Sequence, residues 1–227
     1  MENKPMDKYF DNYQQKVLLE TEAKRILLSK GIPTTKFQEA SNIEQALQAA
    51  DDIGYPVVLK SLSRQVIHKT DVGGVKLNLQ TPQQVEQAFQ QIMSRIKPID
   101  PEVKVVVQEM IPPGVEIIIG TTTDPQFGPV IMLGTGGIFT ELLDDIVFGL
   151  IPISEKDGWR MMRSLRGYPL LMGYRGQPKG DLDSLVEILI KVSELVWEKR
   201  EILEIDLNPV IVGELGSVVV DARFVLE

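Results

Sequence analysis

The 227-residue chain contains no cysteine and a single histidine, His68. The first absence excludes a disulfide framework, a thiolate nucleophile and any Cys-ligated zinc or iron-sulfur centre. The second leaves no His-rich metal site within one chain, so chemistry that needs an imidazole has to use His68. Basic residues are also in deficit: 24 Lys+Arg stand against 32 Asp+Glu, a formal charge of -8. Nucleic acid and anionic membranes both attract basic surfaces, and this balance argues against either as a partner. A phosphate ligand in such a field needs local lysines, backbone N–H groups or a metal ion. No run approaches the roughly 18 to 20 apolar residues of a membrane span, and the polar stretch from Met1 to Asn12 has no signal-peptide pattern. These features read as cytoplasmic. Hydrophobic residues make up 43% of the chain, enough for a real core in one large or two small domains.

Residues 1–15 have little apolar periodicity and read as a loose leader. Leu18, Leu19, Ala23, Ile26 and Leu27 then fall at helical spacing, with Gly31 and Pro33 as stop signals. Ser41 followed by Glu44 is a capping-box signal for a second helix running to Gly54. Tyr55 to Lys60 is a β-branched run that reads as a strand ending on a lysine. Val75 to Leu79 is a strand after a glycine pair, and Thr81 to Ile96 a helix with Pro82 in its first turn. Further strands are expected at Val103 to Met110, Val115 to Thr121 and Val130 to Leu133, and a long amphipathic helix from Leu182 to Lys199. Strands near Ile202 to Leu207, Pro209 to Val212 and Val218 to Asp221 close the chain. Strand pairs alternating with helices predict an α+β (α/β) fold with mixed or antiparallel sheets. Charge divides it: residues 1–108 hold 14 basic and 13 acidic side chains, residues 109–227 hold 10 and 19. Two subdomains are therefore expected, 16–108 and 109–227. A lysine-bearing lobe and an acidic lobe suit phosphate and metal respectively; charge alone equally fits a solvated acidic surface.

Three groups of residues can carry chemistry. Lys60 is followed by His68, Lys69 and the pair Gly73-Gly74, a turn in which backbone N–H groups can approach an anion and lysines add charge. It lacks the signature of a Walker P-loop or a dinucleotide fingerprint, and by itself also reads as a structural hairpin. Gln108-Glu109-Met110-Ile111, then Gly114 and Glu116, can offer backbone groups to a purine edge and a carboxylate to ribose hydroxyls, or be an ordinary strand connection. Finally, Asp206 and Asn208 lie two apart on one strand face, and Asn208 with Asp221 offers one neutral and one anionic oxygen. That is an incomplete shell of the kind Mg²⁺ fills from water and nucleotide phosphates, although turn formation before Pro209 would use the same residues.

The order of these pieces resembles the ATP-grasp nucleotide-binding fold. The segments Gly54 to Lys60, His68 to Leu79, Leu133 to Glu141 and Glu204 to Pro209 are similar to the beta subunits of ADP-forming acetyl-CoA synthetases, over roughly residues 16 to 227. The resemblance implies two subdomains with the nucleotide, ATP or ADP, in the cleft between them. It implies that Lys60 contacts phosphates, Glu109 and Ile111 sit at the adenine hinge, Glu116 binds ribose, and Asn208 with Asp221 holds Mg²⁺, with Gly73 and Gly74 beside the nucleotide. His68 would be the phosphoryl acceptor and Asp206 its orienting carboxylate. A second histidine would lie on a CoA-binding alpha subunit, in an expected alpha2beta2 assembly, so that acyl-CoA, ADP and phosphate give acid, CoA and ATP. Imidazole chemistry agrees, since a pKa near 6.5 leaves a mostly neutral, nucleophilic ring at pH 7. The alternatives are an ATP-grasp carboxylate ligase without phosphohistidine, and a non-catalytic nucleotide-sensing module. Met161, Met162, Leu165 and Met172 read as packing or partner contact and not as a cofactor box, and Arg223 as either a phosphate contact or an ion pair.

Overall fold

The computed structural model describes residues 16–66, 69–137, 144–174 and 176–227. The chain forms two compact units: Leu19–Thr21 with Thr35–Ile111, and Glu22–Thr34 with Pro112–Glu227, the latter also taking in residues 16–18. A single cut at 108/109 therefore does not describe the path of the chain, because Glu22–Thr34 joins the carboxy-terminal unit. The expected leader, 1–15, lies outside the described residues. Among the described residues no helix is long and apolar enough to cross a membrane.

The smaller unit is a four-stranded antiparallel sheet in the order β2-β5-β3-β4, built from β2 (Phe37–Ala40), β3 (Val57–Leu62), β4 (Val75–Leu79) and β5 (Lys104–Glu109). Helices α2 (Ile43–Ile53) and α3 (Pro82–Ile96) cover one face. Their Ala46, Ala49, Ala50, Val85, Phe89 and Ile92 share a core with Val57 and Leu59 of β3 and Val105 and Val107 of β5. Because strand side chains alternate, Val58 and Lys60 of β3 and Val106 and Gln108 of β5 lie on the opposite face, and all four are buried. The start of α2 differs from expectation by one residue. Asn42, not Ser41, is the N-cap: its side chain accepts from the Gln45 backbone at 2.9 Å, while the Gln45 amide accepts from the Ser41 backbone at 2.8 Å. Asn caps as well as Ser, and Asn42-x-x-Gln45 is the frame that places Ala46, Ala49 and Ala50 on the core.

The larger unit carries a seven-stranded sheet in the order β1-β11-β9-β6-β7-β8, with β10 on β9 beyond the point where β11 leaves it; every named pairing is antiparallel. Its strands are β1 (Lys16–Val17), β6 (Val115–Asp124), β7 (Gly128–Thr135), β8 (Ile146–Leu150), β9 (Ile202–Gly213), β10 (Gly216–Val219) and β11 (Ala222–Leu226). Helix α1 (Glu20–Ser29) from Glu22 onward, with α4 (Glu155–Ser164), α5 (Tyr168–Leu171) and α6 (Leu182–Glu198), completes it, while Glu20 and Thr21 belong to the smaller unit. Ala23, Ile26 and Leu27 of α1, Met161 and Met162 of α4, and Leu185, Leu189 and Val192 of α6 pack with Ile117, Ile119, Leu133, Ile205 and Leu207 of the sheet. Each such Val, Leu, Ile or Met side chain contributes about 1.5–3 kcal/mol through burial. Met161, Met162 and Leu165 are core residues as expected, whereas Met172 is 43% exposed. Alternation sends Glu116, Gly120, Glu204, Asp206 and Asn208 to the face without helices.

Strand β9 runs through Pro209, where separate strands were expected. At Asn208-Pro209 it changes neighbour, from β11 (Leu207 opposite Ala222) to β10 (Val210 opposite Val219), and its register against β6 shifts between Ile117 and Ile119. Proline lacks the N–H a regular ladder would use, and an irregularity of this kind accommodates it. Strands β1, β2, β8 and β11 and helices α4 and α5 were not expected from periodicity.

Candidate functional site

In the smaller unit Lys60 sits within β3 and not at its end, opposite Val75 of β4 and Val106 of β5. Its side chain is 6% exposed, and its ammonium donates to Glu20 Oε1 at 2.9 Å; Lys69 donates to the other oxygen of the same carboxylate at 2.5 Å. Lys69 follows His68, which itself lies outside the described residues. The glycine pair closes the turn that returns to β3. Gly73 has φ +67 and donates to Thr70 O at 3.0 Å, Gly74 donates to Lys69 O at 2.7 Å, and Ser61 donates its backbone N–H to Gly74 O at 2.7 Å. Both glycine N–H groups therefore serve the turn, as in the structural-hairpin alternative. What glycine supplies is close approach: a Cβ on Gly74 would lie 2.5 Å from Ser61 Oγ and 3.0 Å from Lys69 O.

Glu109 ends β5, and its carboxylate accepts the Lys36 backbone N–H at 2.7 Å while its own N–H donates to Lys36 O at 3.0 Å. The side chain thus braces the chain locally, and a purine edge at this segment is left to backbone groups. Met110 N donates to Pro56 O at 3.2 Å. Ile111 is the last residue of this unit.

In the larger unit Glu116 is exposed on the face of β6 without helices and borders a cavity of about 580 Å³, whose other lining includes Gly114, Gly136, Gly137, Tyr174 and Glu214. Gly136 donates to Glu116 O at 2.6 Å, and a Cβ there would come within 2.7 Å of Glu116 Cβ. The sequence of the glycine loop 134–141 admits closure over a phosphoryl group, a meeting with the partner's histidine loop, or a simple strand-to-helix turn; the loop is described only as far as Gly137. Beyond it, buried Asp145 accepts from the backbones of Arg166 at 2.7 Å and Gly167 at 2.8 Å and from Thr135 Oγ1 at 3.2 Å, fixing both ends of the segment.

Asn208 and Asp221 meet where β9 changes neighbour. Asn208 N donates to Asp221 O at 3.2 Å, Val220 N to Pro209 O at 2.9 Å, and Asp221 Oδ1 accepts from Ala222 N at 2.9 Å. Asp221 lies between β10 and β11, not in a strand. The donor set is one amide and one carboxylate, and among the described residues no group of three or more His, Cys, Asp and Glu side chains is placed to hold a metal ion. That sparse shell fits a hard cation which keeps waters and takes phosphate oxygens, and does not fit a closed protein cage. Asp206 lies opposite Arg223 of β11 and Gly120 of β6. Desolvation by burial, then the neighbouring Glu204, raise its carboxyl above the usual carboxylate range against the lowering effect of Arg223, with Asp221 raising it further. Arg223 pairs with Glu204 at 3.2 Å, the ion-pair alternative.

Two residues that join these features had not been singled out. Glu20, between the two lysines, had a signal: with Lys24 it places charge on the stripe that Ala23 and Leu27 otherwise make apolar, and both charged residues are buried. Asp145 had none, since its partners are backbone groups 21 and 22 residues away.

The sequence matches the ATP-grasp domain family over residues 10–226. It is 43% identical over 216 residues to the beta subunit of acetate–CoA ligase [ADP-forming] I from Pyrococcus furiosus, covering 94% of this chain and 93% of that one. The structure superposes with a TM-score of 0.90 on acetyl-coenzyme A synthetase 1 of Ca. Korarchaeum cryptofilum in complex with coenzyme A and Ca-AMPCP, at 45% identity over 93% of this chain and 94% of that one. A second complex of that enzyme, with coenzyme A and Mg-AMPPCP and its phosphohistidine segment pointing towards the nucleotide binding site, gives 0.83 at 45% identity over 93% of each chain. The chain belongs to the ATP-grasp family, among the beta subunits of ADP-forming acetate–CoA ligases.

Proposed function

We propose that this chain is the nucleotide-binding beta subunit of an ADP-forming acyl-CoA synthetase and passes a phosphoryl group through His68 to ADP, with acetate as the first acid to test. The observation that carries this is likeness along nearly the whole chain to a beta subunit of that activity. The meeting of Asn208 with Asp221 and the lysine cluster next to His68 agree with it. The net reaction is acyl-CoA + ADP + phosphate giving acid + CoA + ATP, and it is reversible. In the half carried here, a neutral ring nitrogen of His68 attacks the phosphorus delivered by an alpha subunit. The N–P bond to His68 forms as the donor's N–P bond breaks. A terminal oxygen of ADP then attacks that phosphorus, forming the P–O bond of ATP and releasing the imidazole.

Each residue has a task suited to its chemistry. Lys60 contacts the phosphates, and Glu116 takes the ribose hydroxyls. The segment from Glu109 to Ile111 meets the adenine edge, and the Gly73-Gly74 turn sets the path of the chain after His68. Asp206 accepts the single N–H of the neutral His68 ring, which fixes the tautomer; the burial that raises its proton affinity also makes it a stronger hydrogen-bond acceptor. Asn208 and Asp221 hold Mg²⁺, which neutralises phosphate charge when bound. The partner is a CoA-binding alpha subunit, in an alpha2beta2 assembly.

Co-purified with that partner and given γ-labelled ATP and Mg²⁺, the chain is expected to acquire an acid-labile, base-stable label that His68→Gln abolishes. Absence of label in the wild type would overturn the phosphohistidine step and leave direct activation of a carboxylate by ATP. Nucleotide binding without any turnover in the complex would instead identify a sensing module.

A further inference from the structure

Glu20 opens helix α1 with its side chain 1% exposed, and its two oxygens accept from two lysines at 2.9 and 2.5 Å. Those lysines come from different places in the smaller unit. Lys60 projects from the middle of β3, on the face opposite α2 and α3, and Lys69 stands at the turn directly after His68. The same turn is closed by Gly74 N to Lys69 O and joined to β3 by Ser61 N to Gly74 O, both 2.7 Å. A purely structural contact here would be served as well by apolar side chains, because burying charges costs desolvation that the ion pair only offsets. The arrangement has a use if the lysines must stay charged and stay put. A lysine ammonium is a point charge on a flexible four-carbon stem, so its bond to Glu20 fixes where the Lys60 charge sits.

We propose that Glu20 is a positioning residue for phosphoryl transfer: by bridging Lys60 and Lys69 it holds the phosphate-contacting ammonium and the chain leaving His68 in one fixed relation. This rests on the function proposed above.

The test uses the complex with its alpha partner and follows single-turnover transfer of label from ATP to histidine at saturating nucleotide, with melting temperature measured for each variant. Glu20→Gln is expected to slow labelling by at least about tenfold, the scale of loss when reacting groups are slightly misplaced. Lys69→Gln, at a less buried position, is expected to do the same while leaving the MgADP affinity within about threefold. Because both act through one bridge, the double variant should be no slower than the slower single one. Labelling at the wild-type rate in folded Glu20→Gln, even with a lowered melting temperature, would overturn the proposal, as would losses that multiply in the double variant. Should Glu20→Gln not fold, wild-type labelling by Lys69→Gln is the overturning result. Failure of the function itself is seen separately, as a wild type that takes no label, and removes this inference with it.

Discussion

Gly136 shows how closely one residue type can be required. Its backbone approaches Glu116 so tightly that an added Cβ would lie 2.7 Å from Glu116 Cβ, 2.9 Å from its carbonyl carbon and 3.0 Å from its oxygen. These are mostly backbone atoms and cannot swing aside, so Gly136→Ala must move β6 or the loop, and Glu116 with it. With Glu116 in its proposed role, losing the hydrogen bond that its carboxylate accepts from a ribose hydroxyl costs about 1.5–3 kcal/mol, so MgADP affinity measured by calorimetry should fall roughly tenfold or more. Gly128→Ala is the control: its φ of +78 makes it strained, but nothing lies within 4 Å of the added carbon, so it should lower stability by about 1 kcal/mol and leave MgADP affinity unchanged. Residue types were legible at this scale. Lys60, Glu116, Asn208 and Asp221 are chemically apt wherever they stand, but their neighbours were not readable. Glu20 and Lys60 are 40 residues apart and Glu20 and Lys69 are 49 apart, separations at which no spacing rule operates.

Helix α4 begins with a complete capping box: the Ser154 side chain accepts from Asp157 N, and the Asp157 carboxylate accepts from Ser154 N and Oγ. Those hydrogen bonds, chiefly that from the Ser154 side chain, hold the Asp157 carboxyl below its ordinary value of 3.8. A depressed folded-state pKa adds stability at pH values above the unfolded carboxylate value. That contribution is lost as pH falls through the lower folded value. Ser154→Ala should destabilise the protein by about 1 kcal/mol at pH 7 in urea unfolding, and the difference from wild type should shrink on acidification through that range. The helix itself escaped periodicity because Gly158 interrupts it. That glycine is useful only in the folded chain, where a Cβ would meet Val186 of α6 at 3.1 Å. Long elements with clean periods, α3 and α6, were legible to within a residue or two. Pro209 argued for a break in β9, and only the change of neighbour from β11 to β10 explains why the strand continues.

For the molecule as a whole, two separate cores, one in each unit, mean that stability is not carried by a single hydrophobic centre. A ligand bound only by the native state stabilises by mass action. MgADP at a hundredfold excess over its dissociation constant should add about 2.7 kcal/mol and raise the melting temperature by roughly 5–10 °C. His68→Gln should keep that shift while losing all phosphoryl label, since the imidazole acts on phosphorus and not in nucleotide affinity. Loss of both would place His68 in binding instead. Several conclusions followed from sequence by itself: the exclusion of thiolate and His-cluster chemistry, the assignment of imidazole chemistry to His68, the ATP-grasp order of segments, and the uneven charge of the two halves. Composition and local period encode these directly, because each depends on residue identity or on neighbours within a few positions. Other features emerged only with the tertiary structure: the path that returns Glu22–Thr34 to the carboxy-terminal unit, the meeting of Asn208 with Asp221, the seat of Gly136 against Glu116, and the Glu20 bridge between two lysines. Each depends on strand order and register, which bring distant residues within hydrogen-bond reach and which no local window of the sequence contains.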